Sequence, residues 1–318
     1  QFRFPVDPYR TRGDPKSGLL PGISAEPPRA EGSGDKAVQA YNFRMWLTTA
    51  AAGRVFPQPA GYNRGDYALL QRYLDSAPAD FVWDWTYRHG PLKLNLGDCN
   101  NAGPVSTDFI GGSNEWPEGD YAKREKIFQA HVTYQQGYMW YLANDPAVPE
   151  KLRNHVQTFG LPRDQFEETD GWPHELYVRE GRRMVSDYVM TEHNCTGRDI
   201  APDAIGLGAY SMDSHNVQRY VNAAGHVVNE GDVQVRVRSP YPIAYGAITP
   251  RVTARRRREE LVKWPPSNRP STTSNRWSRM STASSAISSR TTPPRACPPT
   301  RCGRTSTAIM SWRDCPEG

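Results

Sequence analysis

The chain has 318 residues, with 39 Lys and Arg against 34 Asp and Glu, so its formal net charge is +5. No apolar run approaches the roughly 18 residues that a membrane-spanning helix needs, which excludes a helical membrane protein. Five cysteines are too few for a disulfide-stabilised scaffold, and their spacing does not predict a zinc or iron–sulfur site.

The composition changes abruptly near residue 250. Residues 251–318 contain 14 basic and 4 acidic residues, 20 Ser and Thr and 8 Pro, but only five residues from Leu, Ile, Val and Phe. Such a segment cannot bury enough apolar surface to offset its ordering entropy. We therefore predict an irregular, Pro- and Gly-rich segment at 1–36, a folded body at 37–250, and a disordered tail at 251–318.

The first part of the body contains one strand signal and then helix signals. Aromatic and β-branched residues alternate at 38–48, which predicts a strand. Apolar residues recur at helical spacing at 66–75 and 120–142, and further helices are predicted at 149–159 and 175–191. Asp145-Pro146 should end the second of these helices, because the residue before proline avoids the helical region.

The last part of the body has the composition of strands. Residues 206–237 include alternating valines, and a short apolar segment at 240–250 lies between prolines. No repeat of 20–50 residues is evident. The body is therefore predicted to be α+β, with a mixed sheet and helices.

Nucleotide-binding motifs do not occur in complete form. Gly206-Leu207-Gly208 begins like a dinucleotide-binding loop, but Ser211 stands where the third glycine belongs and a strand pattern follows instead of a helix. Neither the phosphate-binding loop G-x-x-x-x-G-K-[ST] nor the nucleophile elbow G-x-S-x-G is present.

Two polar clusters are candidates for chemistry. On a strand, Asp213 and His215 would point to one face and share a metal or a proton, or else form a hydrogen-bonded pair that fixes a loop. His174-Glu175 is either an acid/base pair or simply the acidic start of a helix.

Three arginines form a third candidate. On a helix at 175–191, Arg179 would share a face with Arg182 and Arg183, and together they could bind a carboxylate or a phosphate through bidentate hydrogen bonds. The alternative is a solvated basic face, partly neutralised by the acidic residues around it.

Two further features suggest other partners. Trp83, Trp85 and Tyr87 alternate, either as a platform that stacks on sugars or as the packed face of a strand. The run Arg255–Arg258 could bind nucleic acid, but no aromatic platform accompanies it, and we interpret it as part of a solvated tail.

Several ordered motifs resemble one family, the FAD-dependent oxidoreductases of the glutathione-reductase-like superclass. These proteins are often found in bacteria and are sometimes labelled xanthan lyase. The resemblance spans about residues 15–250. Its motifs are VQAYNFRM at 38–45, STDFIGG at 106–112, WPHELYVREGRRM at 172–184, GAYSMDSHN at 208–216, NEGD at 229–232 and PIAY at 242–245.

The resemblance implies a fold and a site. In that family a Rossmann domain binds FAD, and a mixed α+β cap domain closes over the flavin; the motifs here resemble the cap domain. It further implies hydride transfer between a small organic substrate and the flavin, with His215 as the base, held by Asp213. Arg182 and Arg183 would be the electrostatic partners, and Tyr245 would lie close to the flavin ring.

The chain also departs from the family. It lacks the G-x-G-x-x-G strand–turn–helix that binds the FAD pyrophosphate, and an Arg/Ser/Thr/Pro tract replaces the small-residue helix expected after Tyr245. We interpret the chain as a cap-domain fragment without its Rossmann half, with a frame-shifted tail. A flavin-free carbohydrate-binding or carbohydrate-cleaving domain is the alternative. Neither reading predicts a membrane or nucleic-acid partner.

Overall fold

A computed structural model describes residues 1–30, 33–78, 81, 97–101 and 103–251 of the chain. Within this part the helices are α1 (Ala68–Asp75), α2 (Tyr121–Asn144), α3 (Glu150–Val156), α4 (Glu192–Cys195) and α5 (Tyr245–Ile248). Short 3-10 turns occur at Pro15–Ser17, Arg64–Tyr67 and Glu167–Thr169. The strands are β1 (Asn42–Phe43), β2 (Met45–Thr49), β3 (Gly97–Cys99), β4 (Phe159–Gly160), β5 (Leu176–Tyr177), β6 (Ala204–Gly208), β7 (Met212–Asp213), β8 (Asn216–Val221), β9 (Val227–Gly231), β10 (Gln234–Val235) and β11 (Tyr241–Ala244).

The strands pair in five small sheets. β2 lies between β3 and β4, and the other pairs are β1–β5, β6–β11, β7–β10 and β8–β9. Every strand pair among the described residues is antiparallel. The α+β prediction is therefore confirmed. The prediction of a mixed sheet was wrong, because the described strands form five small antiparallel sheets. No helix in this part of the chain is both long and apolar enough to cross a membrane.

Helix α2 confirms the predicted helix at 120–142. It begins after Asp120, whose carboxylate accepts a hydrogen bond from the Lys123 main-chain N–H at 2.8 Å. It ends at Asn144 because Pro146 holds Asp145 in an extended conformation (ψ 126°). Its buried face includes Tyr138 and Met139, so packing as well as capping fixes the helix.

The predicted strand at 38–48 is observed as β1 and β2. Phe43, Met45 and Leu47 are buried, whereas the residues between them are exposed. Burying each such side chain stabilises the fold by about 1.5–3 kcal/mol. Gln135 of α2 connects the helix to β1: its Oε1 accepts from the Phe43 N–H at 2.8 Å and its Nε2 donates to the Phe43 C=O at 2.7 Å.

Two helix predictions need correction. The helix predicted at 149–159 ends at Val156, and the following Phe159–Gly160 pairs with β2 as strand β4. The helix predicted at 175–191 does not form, because Leu176–Tyr177 pairs with β1 and the chain continues without a helix. Gly181 lowers helix propensity there by about 1 kcal/mol relative to Ala. The valines of this segment, including Val185 at 73% exposure, share no buried face.

The β-rich prediction for 206–237 is confirmed by β6 to β10. The predicted last strand at 240–250 is shorter than expected, since β11 ends at Ala244 and α5 follows. In the hairpin β8–β9 the backbones approach closely at Gly231, where φ is +95° and an added Cβ would lie 2.6 Å from the main-chain oxygen of His215. Glycine is therefore required at that position.

Candidate functional site

A buried carboxylate lies at the centre of the candidate site. Asp108 follows a buried Ser106–Thr107 segment and is itself completely buried. Its Oδ2 accepts a hydrogen bond from Nδ1 of His215 at 2.7 Å, and its Oδ1 lies 3.4 Å from Nη2 of Arg179. Three segments that are far apart in the sequence thus bring an acid, a base and a cation together.

The backbone around His215 fixes the direction of its ring. The His215 main-chain N–H donates to Oε1 of Gln39 at 2.8 Å, and the Ala40 N–H donates to the Asn216 C=O at 2.9 Å. Gly231 also allows β9 to approach the His215 main chain closely. Contacts with Gln39 and with β9 therefore hold His215 just before β8 begins.

The Asp108 contact determines which nitrogen of His215 is available. A carboxylate accepts but cannot donate, so Nδ1 must bear the hydrogen and the neutral ring has its lone pair on Nε2. Nε2 has no hydrogen-bond partner among the described residues, and the side chain is 18% exposed. The arrangement can accept a proton at Nε2 from a molecule that approaches this side of the ring.

Arg179 is held by neutral acceptors as well as by Asp108. Its Nη1 donates to the Ala40 C=O at 2.7 Å, and its Nη2 donates to Oδ1 of Asn42 and Oδ1 of Asn100, each at 3.2 Å. Burial lowers the pKa of Arg179, and the charge of Asp108 opposes that shift. The guanidinium still stays cationic at neutral pH.

Two buried polar atoms in this centre lack a hydrogen-bond partner, although one of them faces the Arg179 charge. Oδ1 of Asp108 and Nε of Arg179 make no hydrogen bond among the described residues. Leaving a buried donor or acceptor unsatisfied costs about 1–3 kcal/mol, so such groups are usually paired, with protein or with a bound molecule. The centre therefore retains one acceptor and one donor for a water or a ligand.

The expected pairing of Asp213 with His215 was wrong. Asp213 ends β7 opposite Gln234, and its Oδ2 accepts a hydrogen bond from the Tyr210 hydroxyl at 3.4 Å. The carboxylate on His215 is Asp108, which is 107 residues away. No local spacing rule could have found Asp108; the only signal was its place in the motif at 106–112.

The three arginines do not share a face. Arg179 is buried beside Asp108, whereas Arg182 and Arg183 are exposed because the predicted helix does not form. Nε of Arg182 lies 3.7 Å from Oε2 of Glu118, and Arg183 lines a surface cleft of about 1060 Å³. Neither contacts Asp108 or His215 in the part that is described.

The remaining candidates lie apart from the centre or outside the described part. Tyr245 begins α5, is 52% exposed, and donates its main-chain N–H to the Asp203 C=O at 2.9 Å. Nε2 of His174 lies 3.1 Å from Oε1 of Glu168, and both side chains are exposed; the contact is with Glu168 rather than with the neighbouring Glu175. Trp83, Trp85, Tyr87 and the tail with Arg255–Arg258 lie outside the described residues.

The resemblance implies that FAD is bound, and Gly206-Leu207-Gly208 is the described segment most like a pyrophosphate-binding loop. Gly206 and Gly208 lie within β6, which pairs with β11, and the Tyr241 ring occupies the space beside Gly208. A dinucleotide pyrophosphate needs a glycine turn that opens a helix, so these residues do not fit it. Over the described ranges, no group of three or more His, Cys, Asp or Glu side chains could hold a metal ion.

Comparison with known proteins gives one match. The sequence model of a family described as FAD dependent oxidoreductase matches residues 2–255. No curated protein matches the chain, and neither does any solved structure. The matched range includes Asp108, Arg179 and His215.

Proposed function

Because this chain belongs to the FAD dependent oxidoreductase family, we propose that it contributes the substrate-binding part of a flavin-linked oxidoreductase that transfers hydride between a small organic substrate and FAD. The observation that supports a redox role for its own residues is the Asp108–His215 contact of 2.7 Å, which leaves Nε2 of His215 available as a base.

The role proposed for His215 concerns the proton of the reaction. Oxidising an alcohol or amine carbon removes a hydride from carbon and a proton from the neighbouring O–H or N–H. FAD supplies the hydride acceptor when it is bound. Nε2 of His215 takes the proton, and the negative charge of Asp108 stabilises the imidazolium that results.

Arg179 is assigned the electrostatic role that the resemblance gave to Arg182 and Arg183. It is the guanidinium that contacts Asp108, with Oδ1 and Nη2 3.4 Å apart. Its charge faces the carboxylate of Asp108, and that carboxylate accepts the hydrogen bond from Nδ1 of His215. Arg182, Arg183 and Tyr245 keep a proposed place beside the flavin, which is compatible with their exposure.

A distribution of exposed apolar side chains supports the proposed cap-domain character. Of the large hydrophobic side chains exposed in the described part, most lie between residues 178 and 248, including Val185 (73%), Leu207 (70%) and Tyr210 (75%). Where such side chains form a contiguous patch, that patch is usually an interaction site. In the proposed two-domain enzyme, a flavin-binding domain would cover it.

Because Gly206 and Gly208 do not form a pyrophosphate-binding turn, the proposal is tested with the full chain, an excess of FAD and a panel of small alcohols, amines and sugars. Flavin fluorescence measures cofactor binding, and reduction of a dye acceptor measures turnover. We expect His215→Asn to abolish substrate-dependent dye reduction. His174→Asn, which alters an exposed histidine–acid pair, is the matched control and should retain it.

Two results would overturn parts of the proposal separately. If FAD fluorescence is unchanged by the chain, flavin use by this chain is wrong. If FAD binds and His215→Asn turns over as fast as the unchanged protein, the flavin assignment stands and His215 is not the base.

A further inference from the structure

Arg219 is a buried cation without an acidic partner. It lies in β8 and is only 5% exposed. Its Nε donates to Oδ1 of Asn229 at 3.0 Å, its Nη2 to the Pro104 C=O at 2.8 Å, and its Nη1 to the Gly22 C=O at 3.4 Å. No carboxylate among the described residues forms an ion pair with it.

The charge of Arg219 is therefore only partly compensated. A buried charge is costly unless it is paired, and burial lowers the pKa of Arg219 accordingly. A guanidinium has five N–H donors, and the three neutral oxygens occupy three of them. Two N–H groups and the positive charge remain for an anionic group.

A cavity of about 440 Å³ lies against Arg219. Its walls are mainly apolar and aromatic: Leu69, Leu70, Val105 and the rings of Phe109 and Tyr134, which stack with centroids 4.4 Å apart. Asp66 also lines the cavity, but its Oδ1 accepts a hydrogen bond from Asn63 at 3.0 Å. The volume lies in the range that binds small organic ligands.

We propose that Arg219 and this cavity bind a small carboxylate with an apolar or aromatic body. The carboxylate would accept the unused N–H groups of Arg219, and the body would lie among Leu70, Val105 and the Phe109–Tyr134 stack. This site is separate from the His215 centre, because neither His215 nor Asp108 lines the cavity. The proposal does not rest on flavin chemistry.

Benzoate is a suitable probe for this cavity, and benzamide is its neutral counterpart of nearly the same shape. The full chain is titrated with each compound by calorimetry, and thermal unfolding is followed in parallel. We expect benzoate to bind and to raise the melting temperature in a concentration-dependent way, and benzamide to bind at least about tenfold more weakly, because charge-assisted hydrogen bonds are the stronger ones.

Two variants locate the binding. Arg219→Gln should weaken benzoate at least about tenfold, since it removes the charge. Because Arg219 is buried, this variant could fail to fold, so a second variant leaves it intact. Ala130 is an exposed residue of α2 that lines the cavity, and Ala130→Trp should block it. Ala122→Trp, at an exposed position of the same helix that does not line the cavity, should bind benzoate normally.

The proposal is overturned if benzoate does not bind, if benzamide binds equally well, or if Ala130→Trp binds benzoate as tightly as Ala122→Trp. In the last case the compound binds elsewhere on the surface.

Discussion

Oδ2 of Asp108 lies 2.7 Å from Nδ1 of His215, although 107 residues separate the two positions in the sequence. The carboxylate is fully buried and the imidazole is partly exposed, so one side of the ring is fixed by the protein and the other is open to a ligand. Because Asp108 and not Asp213 contacts His215, substitutions at these two positions should have different effects.

Asp108→Asn should lower turnover of the FAD-loaded protein by about 10²–10⁴-fold, the usual contribution of general acid–base catalysis. The amide can donate to Nδ1, which would move the ring hydrogen to Nε2 and remove the base. Nitrogen NMR of the His215 ring measures the tautomer directly. Asp213→Asn is the control, and equal losses in both variants would contradict the assignment to Asp108.

Removing the Arg179 charge should destabilise the fold. Arg179→Met leaves Asp108 buried without its cation and removes hydrogen bonds to Ala40, Asn42 and Asn100, so we expect a loss of about 3–5 kcal/mol in the free energy of unfolding. Arg182→Met alters an exposed pair 3.7 Å long and should change stability by less than about 1 kcal/mol. Urea unfolding measures the stability of both variants. Similar losses would show that the buried Asp108–Arg179 pair stabilises the fold no more than the exposed Arg182–Glu118 pair does.

The buried His131 should make stability depend on pH. Burial lowers its pKa from 6.5, opposed by its hydrogen bond to the Ile127 C=O and by the charge of Asp108. Burial also lowers the pKa of His155. The unfolded chain therefore binds more protons than the folded one below about pH 6.5, so stability is full above that pH and falls as the pH decreases.

His131→Phe should flatten this dependence. Urea unfolding between pH 5 and pH 8 should show a smaller slope in the variant, even though the loss of the Ser113 contact (3.2 Å) lowers its stability overall. His174→Asn, at an exposed site, should leave the slope unchanged. An unchanged slope in His131→Phe would mean that another group causes the acid sensitivity.

Gly231→Ala should disturb both stability and the position of His215. The substitution meets a positive φ of 95° and a main-chain oxygen 2.6 Å from the new Cβ. Gly225→Ala also meets a positive φ, of 79°, but has no atom within 4 Å. The backbone conformation alone costs about 1–3 kcal/mol in each. Gly231→Ala should lower the free energy of unfolding more than Gly225→Ala does, and it alone should shift the NMR signals of His215. Equal losses of stability in the two variants would contradict the close approach of Gly231 to the His215 main chain.

The sequence correctly predicted the elements whose positions depend on neighbouring residues, such as helix ends and short strands. Asp120 and Asp145-Pro146 marked the ends of α2, and the alternation after residue 38 marked β1 and β2. The helix predicted at 175–191 does not form. Leu176–Tyr177 pairs with β1 instead, and Gly181 interrupts the helical pattern.

The centre of the site was predictable only in part. His215 was a candidate because it lies in a cluster of polar residues, and the family resemblance implied its role as a base. Its partner could not be identified, because a contact between positions 108 and 215 leaves no trace in the spacing of either motif. Arg219 was visible as a residue but not as a buried cation, since its burial depends on Pro104 and Gly22 closing around it.

The contacts of His215 and Arg219 reach back to residues much earlier in the sequence. All but one of the residues in the main hydrophobic cluster lie before residue 180, whereas His215 and Arg219 come later in the chain. A nascent chain synthesised as far as residue 180 already contains nearly all of its core. His215 and Arg219 can make their contacts only after the β8–β9 hairpin has been synthesised, because their partners Asp108, Pro104 and Gly22 lie more than 100 residues earlier in the chain.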